Sequence, residues 1–225
     1  MSTADIAAAP EALVKPRLRG VLHQGAAVVA VGIGVFLAVV APNERAKLAG
    51  LGFAASLFTL FTVSATYHRV HWQTAAARAW MRRADHASIF ILIAGTYTPV
   101  ALVGLPEDLG NRLLLIVWAG ALLGVLQSLF WIHAPKFVAA LIAVALGWSI
   151  TIYWTEARAA LTDVEMLLLF LGGVFYTAGA LFYALKRPVL WPKTFGYHEL
   201  FHAFTLIAAA FHTVGVHSII MRSGS

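Results

Sequence analysis

Apolar residues run almost unbroken through seven stretches of this chain, at roughly 20–41, 48–71, 85–104, 110–131, 137–155, 163–185 and 196–220. Each holds about the 20 residues that a helix needs to cross the hydrocarbon core of a bilayer. Polar residues are confined to short connections between them. The pattern therefore predicts an all-α fold, a seven-transmembrane-helix bundle forming one membrane domain over residues 20–225. Residues 1–19 are polar to mixed and end in Lys15, Pro16, Arg17 and Arg19, which reads as a short cytoplasmic N-terminal tail. No short apolar segment with a cleavage site precedes the first span, so a removable signal peptide is not expected.

Composition agrees with the pattern. Of 225 residues, 60% are hydrophobic and 12% charged, against about 25% charged in a typical soluble domain. A net charge of +6 raises the question of nucleic acid, but the basic residues sit in loops between apolar runs and act as topology signals. With the N-terminus inside, the inner loops and ends collect Lys15, Arg17, Arg19, Arg69, Arg78, Arg82, Arg83, Lys136, Lys186, Arg187 and Lys193. The outer side receives Arg45, Lys47, Arg112, Arg158 and Arg222. Eleven against five places the N-terminus in the cytoplasm and the C-terminus outside, in a multi-pass plasma (inner) membrane protein of bacterial type. Trp72, Trp131, Tyr183 and Trp191 at the inner ends fit an aromatic belt. The chain has no cysteine, which excludes disulfides and thiolate chemistry.

Candidate chemistry begins at Gly196-Tyr197-His198-Glu199-Leu200-Phe201-His202, the head of the last apolar run. On a helix, residues four apart share a face, so His198 and His202 can present two imidazoles to one point, a common way to hold Zn²⁺. The topology brings company to that pair. The second span ends near His71, which puts His68 about one turn from the inner interface, with Ser64 one turn further along the same face. The third span starts inside, with Asp85 and His86 expected in its first turn. Polar groups from three spans thus share one depth. Ionisable residues within membrane spans are costly and mark functional sites by default.

These residues carry a resemblance. Ser64-Ala-Thr-Tyr-His68, then Asp85-His86-Ala-Ser88-Ile89 with Gly95-Thr-Tyr-Thr-Pro99, then His198-Glu-Leu-Phe-His202 resemble the three signature regions of hemolysin III proteins. That family stands with the progestin and adipoQ receptors (adiponectin receptors among them) and more distantly with the alkaline ceramidases. The resemblance covers nearly the whole chain in span number, topology and motif order. It implies that His68, His198 and His202 bind Zn²⁺, with Asp85 and Ser64 around a metal-bound water. In the first region the family's acidic and Asn residues before a Thr-His pair are replaced by Arg19-Gly-Val-Leu-His23, so the resemblance carries no role to His23.

The chemistry is coherent on its own terms. Three neutral imidazoles leave the fourth tetrahedral position open, as in catalytic rather than structural zinc sites. A carboxylate beside the bound water can take its proton, and Asp85 is the candidate base, or else an orienting partner of a histidine. Ser64 can donate a hydrogen bond to an oxyanion or to that water, or bond back to its own helix. His198-Glu199-Leu-Phe-His202 also matches H-E-x-x-H, which keeps an intramembrane metalloprotease as an alternative, although Glu199 reads best as a solvated residue at a helix start. The favoured expectation is a zinc-dependent hydrolase of lipid amides or esters, with membrane lipid as substrate or ligand. A non-enzymatic lipid or fluidity sensor and a cytolysin are the other classes. His71 reads as interfacial, His86 as interfacial or as a partner behind a ligand, and His133 lies in a loop, while His212 and His217 lie too far along the last span to share the metal. Pro99 is expected to kink the third span.

Overall fold

The computed structural model describes residues 15–131 and 136–224. His133 and the tail before Lys15 lie outside the described residues. Among the described residues, seven helices are long and apolar enough to cross a membrane, one for each predicted run. In chain order the elements are α1 (Val21–Val40), α2 (Glu44–Arg69), α3 (Ala75–Pro99) continued by a π turn (Val100–Gly104), and α4 (Glu107–Phe130). There follow α5 (Lys136–Gly147), a 3₁₀ turn (Ser149–Tyr153), α6 (Trp154–Ala160), α7 (Asp163–Leu185) and α8 (Tyr197–Arg222). Among the described residues there is no β-strand, only an isolated bridge between Trp191 and Phe195.

Helix starts follow local capping chemistry. Asn43 accepts from the Ala46 amide at 2.9 Å, Thr74 from Ala77 at 3.1 Å, and Thr162 closes a reciprocal pair with Glu165. The Thr74 cap corrects one expectation. Asp85 and His86 do not lie in the first turn of the third span, because α3 begins at Ala75. Residues 75–84 are too basic to sit in hydrocarbon, yet Ala-rich and capped, so they extend the helix out of the apolar layer. Arg83 covers the Trp80 ring there at 4.3 Å.

Two interruptions differ from a plain bundle. After Pro99, which lacks an amide hydrogen, the helix widens into the π turn, and Gly110 of α4 packs so closely on the Ala101 carbonyl that a Cβ there would overlap it. The fifth span, expected as one helix, is broken by the 3₁₀ turn. Backbone groups freed inside a membrane must find partners. Tyr97 supplies them: its hydroxyl donates to the Gly147 carbonyl at 2.6 Å and accepts from the Ile150 amide at 3.2 Å.

Packing runs α1 on α2, α2 on α3, α3 on α4 and α7 on α8, with α8 also touching α1, α2 and α3. Two apolar clusters hold the bundle. Leu37, Phe53, Leu57, Val216 and Ile220 join α1, α2 and α8; Phe90, Val100, Leu113, Val117 and Ile219 join α3, α4 and α8. Val28, Leu115, Leu123, Leu141, Val164 and many like them are exposed, forming an outward apolar surface suited to lipid. Helix α8 is therefore held on several sides, and its first two turns carry the histidines.

Candidate metal centre

The last two turns of α2 carry Ser64 and His68, both buried, on one face. Helix α3 brings Asp85 beside them, and α8 brings His198 and His202 from its first turns. The ligand nitrogens of His68, His198 and His202 lie within 4.8 Å of one another. His68 Nε2 and His198 Nε2 are 3.0 Å apart. With Zn–N bonds of about 2.0–2.1 Å, the edge of a tetrahedron of nitrogens is about 3.3 Å, so this spacing is close to what one ion requires. With their N–H groups on the far ring nitrogens, the three imidazoles from two helices turn their lone pairs to one point, as ligands of one ion do. The donor set fits a zinc-like ion.

Asp85 Oδ2 stands 3.9 Å from His68 Nε2, and the Ser64 hydroxyl interacts with the Asp85 carboxyl. The structure thus brings all five expected residues together, with Ser64 on Asp85. His71 and His86 line the same cavity, outside the three-histidine cluster. His217 packs its ring 5.2 Å from Phe36, away from the site.

How the chain builds this corner is visible at its start. Gly20 adopts φ +81°, and a Cβ there would come within 2.7 Å of the His68 Cβ, so only glycine lets the chain enter α1 under His68. Just before it, the Arg17 and Leu18 amides bond the Lys193 and Thr194 carbonyls at 3.0 and 3.2 Å, strapping the N-terminal segment to the lead-in of α8. The Lys15 ammonium donates to the His68 carbonyl at the end of α2, where a cation suits the helix dipole.

Two residues behave differently from expectation. Glu199 is not solvated: it is 1% exposed, its Oε2 accepts from the Gly196 amide at 2.8 Å, and its Oε1 pairs with the Arg19 guanidinium. A partner 180 positions away in the chain removes it from water. His23 also belongs to the site's surroundings. Its ring stacks on His202 with centroids 3.8 Å apart and planes within 5°, and it is 2% exposed. The Arg19-Gly-Val-Leu-His23 signal that could have located it is one helical turn long and departs from the family pattern.

The site opens into a cavity of about 980 Å³. Lys15, Arg19 and Arg82 line one end; Phe90, Ile93, Val144 and Trp148 line the body, which extends along α8 as far as His212. A predominantly apolar chamber with basic side chains and a cluster of imidazole nitrogens in its lining is suited to an amphiphile.

The profile of the family described as Haemolysin-III related matches residues 11–213. This chain belongs to that family. It is 33% identical over 159 residues to the "Hemolysin-3 homolog" of Bacillus subtilis (strain 168), covering 70% of each chain. It is 32% identical over 158 residues to the "Hemolysin-3" of Bacillus cereus, covering 70% of this chain and 68% of the relative. It is also similar to the human "Monocyte to macrophage differentiation factor", at 24% over 180 residues covering 79% of this chain and 72% of that one. The family and the seven apolar helices together make it a multi-pass integral membrane protein, as the sequence predicts.

Proposed function

We propose that this haemolysin-III family member is a zinc-dependent hydrolase of membrane lipid amides or esters, ceramidase-like in its chemistry. In this reading the histidine end of the bundle faces the cytoplasm of a bacterial-type plasma membrane, as the basic loops suggest. One observation carries the proposal. Three imidazole nitrogens within 4.8 Å of one another stand beside a carboxylate on the wall of a cavity large enough for a lipid.

His68, His198 and His202 would hold the ion. Zinc bound there supplies Lewis-acid polarisation of a carbonyl and makes a water molecule more acidic. The remaining work falls to the protein. Asp85 takes the proton of the attacking water on a carboxylate oxygen and returns it to the departing amine or alcohol, so the acyl carbon gains one oxygen and loses its original leaving group. Ser64 fixes the carboxyl of Asp85. The apolar cavity wall receives the acyl chain and keeps bulk water away. Glu199 has no part in this chemistry, because the Gly196 amide and Arg19 occupy both of its oxygens. That arrangement disfavours a protease of the H-E-x-x-H type, whose glutamate must reach a water.

Asp85→Asn is the test. It should keep bound zinc while lowering turnover of a short-chain amide lipid by about 10²–10⁴-fold. A loss of zinc affinity of about 10–100-fold would make Asp85 an orienting partner instead. A wild type that holds zinc and hydrolyses no amide or ester lipid would leave the sensor reading. Lysis, the activity in the name of the Bacillus cereus relative, is tested on the same preparation by dye release from liposomes.

A further inference from the structure

The cavity does not end at the histidine cluster. Ten residues beyond His202 on α8, about 15 Å along the helix, it reaches His212. His212 is 9% exposed, and its Nε2 lies 3.1 Å from the Leu169 carbonyl of α7. A carbonyl only accepts, so Nε2 carries the hydrogen and Nδ1 is left as a bare acceptor. Nδ1 is buried and has no hydrogen-bond partner among the described residues. Across from it stands Tyr176 of α7, with ring centroids 5.5 Å apart, and the Tyr176 hydroxyl is equally buried and without a partner. Both side chains line the cavity.

The placement is built into the helix crossing. Gly172 packs directly on the His212 ring, and a Cβ at that position would overlap it. The glycine lets α8 approach α7 closely enough for His212 to reach the Leu169 carbonyl. A buried acceptor and a buried hydroxyl without partners are each costly, a penalty that a ligand group able to satisfy both would remove. A hydroxyl donates one hydrogen and accepts another, so it can give its proton to Nδ1 and receive that of Tyr176. A carbonyl would leave Nδ1 unmatched, and a methyl group would leave both.

We propose that His212 and Tyr176 form a second polar subsite, which binds a hydroxyl carried about 15 Å along the chain of a lipid whose polar head sits at the histidine end. This rests on the reading that a lipid occupies the cavity, and not on its hydrolysis. The detergent-purified wild type is titrated with octadecanoic acid and with 12-hydroxyoctadecanoic acid, whose hydroxyl stands at a comparable reach from its carboxylate, by displacement of a fluorescent fatty acid. The hydroxy acid should bind about tenfold tighter, the worth of roughly one well-made hydrogen bond in a buried site. Tyr176→Phe and His212→Phe should each reduce that preference to less than about twofold while leaving the affinity for octadecanoic acid near that of the wild type, which reports an intact cavity. Equal affinities in the wild type, or a preference that survives Tyr176→Phe, would overturn the subsite. Failure of either acid to bind would overturn it together with the lipid-filled cavity. A failed hydrolase reading shows separately, in the turnover of Asp85→Asn.

Discussion

The imidazole of His23 lies flat against that of His202, 3.8 Å away and within 5° of parallel. The first helix therefore packs flat on the ring of a candidate metal ligand that the last helix supplies. Phe61 closes on His23 from α2, with centroids 5.1 Å apart. Groups that orient a ligand from behind typically matter by about 10–100-fold in metal affinity. His23→Ala should weaken zinc binding by about tenfold, whereas His23→Phe keeps a flat ring in place and should restore most of it. Zinc-competition titration against a chromogenic chelator checks this. Equal loss in both variants would mean that a ring nitrogen, and not the stack, is what counts.

Glu199 and Arg19 tie the start of α8 to the segment before α1. Removing one partner of a largely buried ion pair is costly, about 3–5 kcal/mol when both groups are fully enclosed and less here because Arg19 is partly exposed. Glu199→Gln should lower the unfolding temperature in detergent while turnover per bound zinc stays near that of the wild type. Turnover lost with zinc and fold intact would instead make Glu199 the base.

Tyr97 bridges the break in the fifth span through its hydroxyl alone. Tyr97→Phe leaves the Gly147 carbonyl and the Ile150 amide unmatched, which should destabilise the bundle by about 1–3 kcal/mol in a chemical unfolding series. Zinc content should not change. An unaltered unfolding midpoint would show that the break does not depend on this contact.

Orientation is open to a direct measurement. A reporter inserted in the 70–74 connection should behave as cytoplasmic, and one fused after Ser225 as external, because Lys and Arg divide eleven to five between the two sides. The reverse pattern would put the histidine site at the outer face.

Much of this was legible in one sequence, for physical reasons that also explain the gaps. A membrane span announces itself by length and apolar content, so the seven spans lie close to their predicted runs, except at the start of α3 and in the fifth span, which runs to Ala160 and is broken by the 3₁₀ turn. At the start of α3 the basic, Ala-rich 75–84 segment carries a helix signal but no membrane signal. The His198–His202 pair is a local helical pattern, and His68 and Asp85 joined it by shared depth, which topology alone supplies. Glu199 could not be read this way. Its burial depends on Arg19, distant in the chain, and the same local pattern fits a solvated helix start. The His23 stack and the Tyr97 bridge likewise need the packed bundle, since no spacing along the chain encodes which ring will face which backbone group.

Elemental analysis of the purified protein tests most directly whether the three imidazoles of α2 and α8 hold one metal ion. The wild type should carry about one zinc per chain, and His198→Ala combined with His202→Ala should carry almost none, since one remaining imidazole is too few for a stable site. Zinc content unchanged in the double variant, or absent from a folded wild type supplied with zinc, would contradict the account.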